Sequence, residues 1–299
     1  MNTREDQPMS KPWYNETLFE HYGQRFEIEN ILFENQTAHQ HLVIFENKQF
    51  GRVMALDGVI QTTTRDEYIY HEMMVHVPVL AHGFVKRVLI IGGGDGGILR
   101  EVLKHDTVEH VTMVEIDAAV VEMSQRYLPS ISDGAFADPR LNLVITDGMD
   151  YVRQCKDKFD IIITDSTDPI GPGEILFTDD FYSGAKRCLD ANGIISSQNG
   201  ASFLQEWEFE GTHRRLSSLY EDSWFYLAGV PTYIGGFMTL AWATDNKAYR
   251  HLSIDTIRLR YNNQPFKTRY YNPAIHVSAF HLPQHVLDKL EAATVAEFA

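Results

Sequence analysis

The stretch Arg87-Val88-Leu89-Ile90-Ile91-Gly92-Gly93-Gly94-Asp95-Gly96-Gly97 limits what this chain can fold into more than any other. Val88 to Ile91 is a wholly apolar run, the pattern of a strand buried on both faces of a parallel sheet. A glycine loop follows at once. Gly92, Gly94 and Gly97 fit G-x-G-x-x-G, and Ile98 to Leu103 then begins a helix whose free backbone N–H groups face the loop. Such a loop lets the backbone come close to a nucleotide-like ligand. Asp95 is out of place in a pyrophosphate cradle, because its carboxylate already occupies the favourable potential of the helix N-terminus.

Strand-then-helix units continue beyond the loop. Val111 to Asp117 reads as a second strand, and Glu115 near its end lies twenty residues after Asp95. An acidic residue there is placed to accept both hydroxyls of a ribose. A helix from Ala118 to about Tyr127 follows. Leu141 to Gly148 is a third strand ending in Asp147-Gly148, and Phe159 to Asp165 a fourth ending in Asp165-Ser166-Thr167-Asp168. Residues 169–174 form a Pro- and Gly-punctuated loop suited to covering a site. Thr178 to Cys188 reads as a helix, Gly193 to Gly200 as a fifth strand and Phe203 to Tyr220 as a long helix. Trp224 to Tyr233 and Phe237 to Ala243 then read as an antiparallel pair, with helices beyond Asp245.

Upstream, the first dozen residues read as loosely attached. Residues from Arg25 to about Thr63 alternate apolar and polar and predict a small antiparallel sheet with Asn47-Lys48 and Asp57-Gly58 as turns. This sheet is thin enough to need the main domain or another subunit to lean on. Thr64-Arg65-Asp66-Glu67 has the form of a capping box, opening a helix that Pro78 is expected to end or kink. The expected division is residues 1–64, an antiparallel β-domain making subunit contacts, and residues 65–299, a Rossmann-like catalytic domain.

Composition narrows the partners. A net charge of −15 repels nucleic acid and anionic lipid and favours cationic ligands. No run approaches the roughly 18 apolar residues of a membrane span, and the polar start lacks a signal core, so a cytoplasmic protein without membrane contact is expected. Cys155 and Cys188 lack metal-ligand spacing and are expected to be ordinary reduced thiols.

Ligands of a doubly wound sheet lie outside the carboxyl ends of its strands, so the glycine loop, Glu115 and Asp147 should converge there with Asp95, Asp165 and Asp168. These loops offer no Lys or Arg to neutralise the acids. A pocket of carboxylates wants a cation or a metal, and the aromatics Tyr70, Trp224, Tyr233 and Trp242 favour an organic amine. An S-adenosylmethionine-dependent amine methyltransferase would share the nucleoside half of such a site, but Asp95 argues against it. A nicotinamide-dependent dehydrogenase would bring a pyrophosphate against Asp95. A non-catalytic binding protein would treat the same acids as solvated loop residues.

The five-strand pattern with its antiparallel pair fits the Rossmann-like fold of S-adenosylmethionine-dependent transferases. Within it, Gly92 to Gly97, Val114-Glu115-Ile116-Asp117, Asp147-Gly148, Asp165 to Pro172, Pro231-Thr232-Tyr233, Gly51 to Gly58 and Arg65 to Met73 together resemble the spermidine synthase family of polyamine aminopropyltransferases, from about Trp13 to Pro283. The resemblance implies transfer of an aminopropyl group from decarboxylated S-adenosylmethionine, a co-substrate, to putrescine, with no cofactor and no metal. It implies Asp165 as proton acceptor. Asp168 would hold the diamine and Asp95 the ammonium of the donor. Tyr70, Gln198 and Tyr233 would line the amine channel, and His71, where many relatives carry Gln, would sit in the substrate site. Glu115 would take the ribose, Asp147 with Gly148 the adenine edge, and Gln40 and Pro172 would pack on the nucleoside. A homodimer or homotetramer is expected.

Overall fold

The computed structural model describes residues 11–169 and 171–296; the side chains of Pro172 and of residues 294–296 are outside that description, as are residues 1–10, most of the dozen expected to be loosely attached. A short hairpin, β1 (Trp13–Asn15) with β2 (Arg25–Glu27), precedes a four-stranded antiparallel sheet of β3 (Asn30–Gln36), β4 (His41–Asn47), β5 (Gly51–Leu56) and β6 (Val59–Thr63) in sequential order. The alternating run Phe26 to Leu32 is divided between β2 and β3. Ile28 donates its N–H to Pro12 O and Glu29 donates to Glu46 O, so the chain passes from pairing with β1 to pairing with β4. Asp57 and Gly58 both take positive φ, 47° and 89°, as a two-residue hairpin turn requires.

This sheet is covered on both faces. Leu42, Ile44, Met54 and Leu56 pack against Val120, Met123, Leu128 and Ile131 of the main domain, whereas Val43, Phe45, Val53 and Ala55 pack against Phe26 and Ile28 beside the hairpin. A thin sheet therefore gains the second apolar layer it needs from the same chain.

Helix α1 (Glu67–His82) joins the two units. Its start differs from expectation. Asp66 is the N-cap residue, but its carboxylate accepts from Thr63 Oγ1 at 2.6 Å and from Thr232 N and Oγ1 at 3.0 and 2.8 Å, so no capping box forms. Pro78 does not end the helix, which runs on to Gly83, where φ is 87° and the N–H returns to Val79 O. Fourteen of its 16 residues are buried, and that burial outweighs the roughly 3 kcal/mol that an interior proline costs.

The main sheet contains β7 (Arg87–Gly92), β8 (His110–Glu115), β9 (Leu141–Ile145), β10 (Phe159–Asp165), β11 (Leu189–Ala201), β12 (Asp222–Ala228) and β13 (Met238–Thr244), in the order β12-β13-β11-β10-β7-β8-β9. β7 to β11 are mutually parallel, and β13 runs antiparallel to both β11 and β12. Val88 and Ile90 face one core and Leu89 and Ile91 the other, which is why that run is apolar throughout. The first core is roofed by α1, α2 (Gly97–Leu103) and, from the tail, α8 (Ile254–Asn262) and α9 (Pro273–Ala279); α3 (Ala118–Tyr127) and α4 (Pro129–Ser132) back the N-terminal sheet, and the second core takes α5 (Gly148–Gln154), α6 (Asp179–Cys188), α7 (Glu206–Leu219) and α10 (Gln284–Ala296). The chain leaves β7 toward β8 on one side and β10 toward β11 on the other, so the order reverses between β7 and β10 and a crevice opens at their carboxyl ends.

The tail is tied down by a buried acid. Glu72 accepts the backbone N–H groups of Arg269, Tyr270 and Tyr271, each at 2.8 Å. Cys155 and Cys188 are free thiols, and no helix of the described residues is long and apolar enough to cross a membrane.

Candidate active site

An open crevice lies at the reversal point, with about 1320 Å³ of empty space counting its mouth, room for a nucleoside and a small amine together. Eleven of the twelve residues singled out from the sequence line it: Gln40, Tyr70, His71, Asp95, Glu115, Asp147, Gly148, Asp165, Asp168, Gln198 and Tyr233. The twelfth, Pro172, has its side chain outside the described residues.

The glycine loop is shaped by the acids around it. A Cβ at Gly92 would stand 2.0 Å from Asp165 O, at Gly93 3.2 Å from Asp165 Oδ2, and at Gly94 3.0 Å from Glu115 Oε2. Gly93 donates its N–H to Asp165 O at 3.0 Å, which locks the end of β10 against the loop. The third glycine serves a side chain: a Cβ at Gly97 would sit 2.2 Å from His71 Cε1 and Nδ1. Gly97 N–H in turn donates to Asp95 Oδ1 at 2.8 Å. Asp95 thus uses the helix N-terminus that would otherwise hold a phosphate.

On the nucleoside side, Asp147 caps α5, accepting from Met149 N at 2.7 Å and Asp150 N at 3.2 Å. Glu115 is almost wholly buried; burial, and then the charge of Asp117, push its carboxyl up to about 7 although it accepts Asp117 N–H at 2.9 Å. Two ribose hydroxyls would supply the donors it lacks. Gln40 Nε2 reaches Asp117 Oδ2 at 3.2 Å, so the N-terminal sheet closes one wall of this half.

On the amine side, Tyr70 donates to Asp165 Oδ1 at 2.7 Å and packs edge-on against Tyr233, with ring centroids 5.8 Å apart. Burial, and then the charge of Asp95, push the Asp165 carboxyl up to about 6. Gln198 Nε2 donates to Asp168 Oδ1 at 3.1 Å, and burial raises Asp168 as well.

The sequence reading of this half needs three amendments. Trp224 and Trp242 do not line the crevice: Trp242 is fully buried with Nε1 donating to Asp222 Oδ2, and Trp224 donates to Phe280 O while Arg250 lies over its ring. Their indole N–H groups found partners inside the core, which leaves them no role at the amine. The acids are also not uncompensated, because His71 arrives from α1 with Nε2 3.4 Å from Asp95 Oδ2. Finally, Glu16 and Gln205 line the crevice unforeseen. Glu16 follows β1 and accepts Ile60 N–H at 3.1 Å; burial raises its carboxyl first, and the charge of Asp168 adds to that shift. Neither residue sits in a motif, so no local signal marks it.

Among the described residues, His71, Asp95 and Asp165 bring ligand atoms within 4.8 Å of one another, the one grouping of metal-ligand type. The other nitrogen of His71 is 2.7 Å from Glu67 Oε2. With a carboxylate at each nitrogen the ring serves as a double donor and offers no lone pair to a metal.

Known proteins with this arrangement are close at hand. Residues 67–252 match the Spermine/spermidine synthase domain, and residues 12–64 match the Spermidine synthase tetramerisation domain. The polyamine aminopropyltransferase of Pseudomonas syringae pv. tomato is 59% identical over 94% of this chain and 98% of its own, and that of Klebsiella pneumoniae is 58% identical over the same shares. Among solved structures, a spermidine synthase in complex with the transition-state analogue AdoDATO superposes with a TM-score of 0.90 at 38% identity, covering 97% of this chain and 98% of that one. Spermidine synthase from Thermotoga maritima superposes at 0.87 with 37% identity and 97% of each chain covered. The chain belongs to the spermine/spermidine synthase family.

Proposed function

We propose that this chain is a polyamine aminopropyltransferase that moves the aminopropyl group of decarboxylated S-adenosylmethionine to putrescine, giving spermidine and methylthioadenosine. The observation that carries the reading is the grouping of Asp95, Asp165 and Asp168 along one crevice whose other end holds Glu115 and Asp147. That is a site for ammonium groups joined to a site for a nucleoside.

The chemistry follows from the charges. A primary amine with a pKa near 10.4 is protonated at neutral pH and has no lone pair with which to attack. One ammonium nitrogen of putrescine gives up a proton, its freed lone pair bonds to the methylene carbon next to the sulfonium, and the C–S bond breaks with its electron pair going to sulfur. Asp165 takes that proton. Tyr70 engages Oδ1, and the described hydrogen bonds leave Oδ2 for the amine. Burial raises its proton affinity, and the unfavourable proton transfer is drawn forward because the freed amine is consumed as the C–N bond forms. The sulfonium is already a good leaving group, so the main task is to hold nitrogen, carbon and sulfur in line.

In this scheme Asp95 holds the donor's ammonium, Asp168 and Gln198 the diamine, and Tyr70 and Tyr233 the channel wall. Glu115 takes the ribose, Asp147 and Gly148 the adenine edge, and Gln40 and Pro172 complete the nucleoside pocket. Ordinary S-adenosylmethionine would bring a carboxylate against Asp95 and is repelled. The protein works in the cytoplasm as a homodimer or homotetramer assembled through residues 12–64, away from membranes and nucleic acid; light scattering on the purified chain reads the assembly.

Incubation with putrescine and each nucleoside donor, followed by mass spectrometry, tests the activity. Spermidine with methylthioadenosine is expected. S-adenosylhomocysteine with a methylated amine would replace this reading with a methyltransferase.

A further inference from the structure

Behind Asp95 and outside the lining of the crevice runs a chain of ion pairs that the transfer reaction does not itself use. His71 is 3% exposed, with Nδ1 2.7 Å from Glu67 Oε2 and Nε2 3.4 Å from Asp95 Oδ2. A neutral imidazole has one N–H and one lone pair, so only the imidazolium suits two carboxylates. Glu67 is held from its far side by Arg100, whose Nη1 and Nη2 donate to its two oxygens at 3.1 and 2.8 Å. Arg100 Nε donates to Glu101 Oε1 at 2.8 Å, and Glu101 Oε2 lies 2.9 Å from His76 Nε2. Lys104 also bonds Glu101. Arg100 is thereby fixed, and with it the orientation of Glu67.

We propose that Glu67 and Arg100 are positioning residues of the transfer reaction: they hold His71 as a permanent cation beside Asp95 and Asp165, so that both carboxylates can stay ionised in one dry crevice. This rests on the reading in which Asp165 accepts the amine proton. Two carboxylates sharing a buried site cannot both ionise at neutral pH without a counter-charge. The groups facing His71 are Glu67 from its own helix, Asp95 from the glycine loop, Arg100 from α2 through Glu67, and Asp165 from the end of β10, with Tyr70 edge-on at 5.5 Å. Asp165 faces Asp95, His71 and Tyr70, and interacts with Tyr233 and Glu115. Against the lowering by burial, the Asp95 and Glu67 charges raise the imidazole to about 10, and His71 in turn opposes the rise of Asp165. Gln is a neutral replacement for His71 of similar reach that keeps a hydrogen-bonding side chain.

The test is the pH dependence of kcat/KM for the decarboxylated donor at fixed putrescine, in the intact enzyme, His71→Gln, Glu67→Gln and Asp165→Asn. Removing the cation should move the acid limb upward by about 1 pH unit or more in His71→Gln. At pH 6.5 a limb moved from about 6 to about 7 gives a loss of about threefold, growing toward tenfold by pH 5 and recovered by pH 8.5. Glu67→Gln should show the same displacement, because His71 then gives up its proton more readily. An acid limb that stays in place while kcat/KM falls by the same factor at every pH would mean that His71 and Glu67 only pack, and would overturn the proposal. His71→Gln decides the matter by itself if Glu67→Gln does not fold. Near-normal turnover in Asp165→Asn would instead show that the underlying choice of base is wrong.

Discussion

Gly97→Ala offers the sharpest test of how the glycine loop and His71 depend on each other. The new Cβ would lie 2.2 Å from His71 Cε1 and Nδ1 and 2.6 Å from Nε2. Relaxed carbon contacts are about 3.5–4.0 Å, so the ring must retreat by more than about 1 Å. It has nowhere to go, being buried between Glu67 and Asp95. Retreat costs at least one hydrogen bond to a charged group, about 1.5–3 kcal/mol, and overpacking adds about 1–3 kcal/mol. Alanine returns up to about 1 kcal/mol of helix propensity. The net expectation is a loss of about 3 kcal/mol in urea unfolding, with a marked fall in kcat/KM. The same change made in a His71→Ala background should have the opposite sign, a gain of about 0.5–1 kcal/mol, because without the ring Gly97 is an ordinary first-turn residue. A loss of similar size in both backgrounds, or under about 0.5 kcal/mol in the intact protein, would refute the argument.

Asp165→Asn should lower kcat by about 10²-fold or more with donor affinity unchanged in equilibrium binding. In the intact enzyme kcat/KM should fall as pH drops through about 6, because the base acts ionised and its carboxyl is raised to that value; a flat profile down to pH 5 would place the base elsewhere. Asp95→Asn should weaken decarboxylated donor binding about tenfold or more and reduce the preference over S-adenosylmethionine, read by calorimetry with both nucleosides. Asp66→Ala should destabilise the fold by about 3 kcal/mol in chemical denaturation, since it strands the Thr63 hydroxyl and the Thr232 N–H and hydroxyl in a buried place.

What the sequence by itself determined is the set of features whose cause is local. The apolar run at Val88 to Ile91, the glycines after it and Asp57-Gly58 each answer to a periodicity or a backbone conformation that neighbouring residues dictate. Acids at the ends of successive parallel strands must also meet, because the winding of the sheet places those ends together; so Asp95, Glu115, Asp147, Asp165 and Asp168 were legible as one site. Only the tertiary structure decided which partner each polar group found. Asp66 left its helix cap for Thr232, far along the chain, Trp224 and Trp242 spent their N–H groups inside the core, and α1 carried Pro78 because burial outweighed the lost hydrogen bond. Glu16 reached the crevice from the far hairpin, and His71 became a cation there through Glu67 and Arg100. The physical reason is common to all of them: desolvation makes an unpaired polar group expensive, and the cheapest partner in a folded protein is set by distance in space, which sequence spacing does not encode.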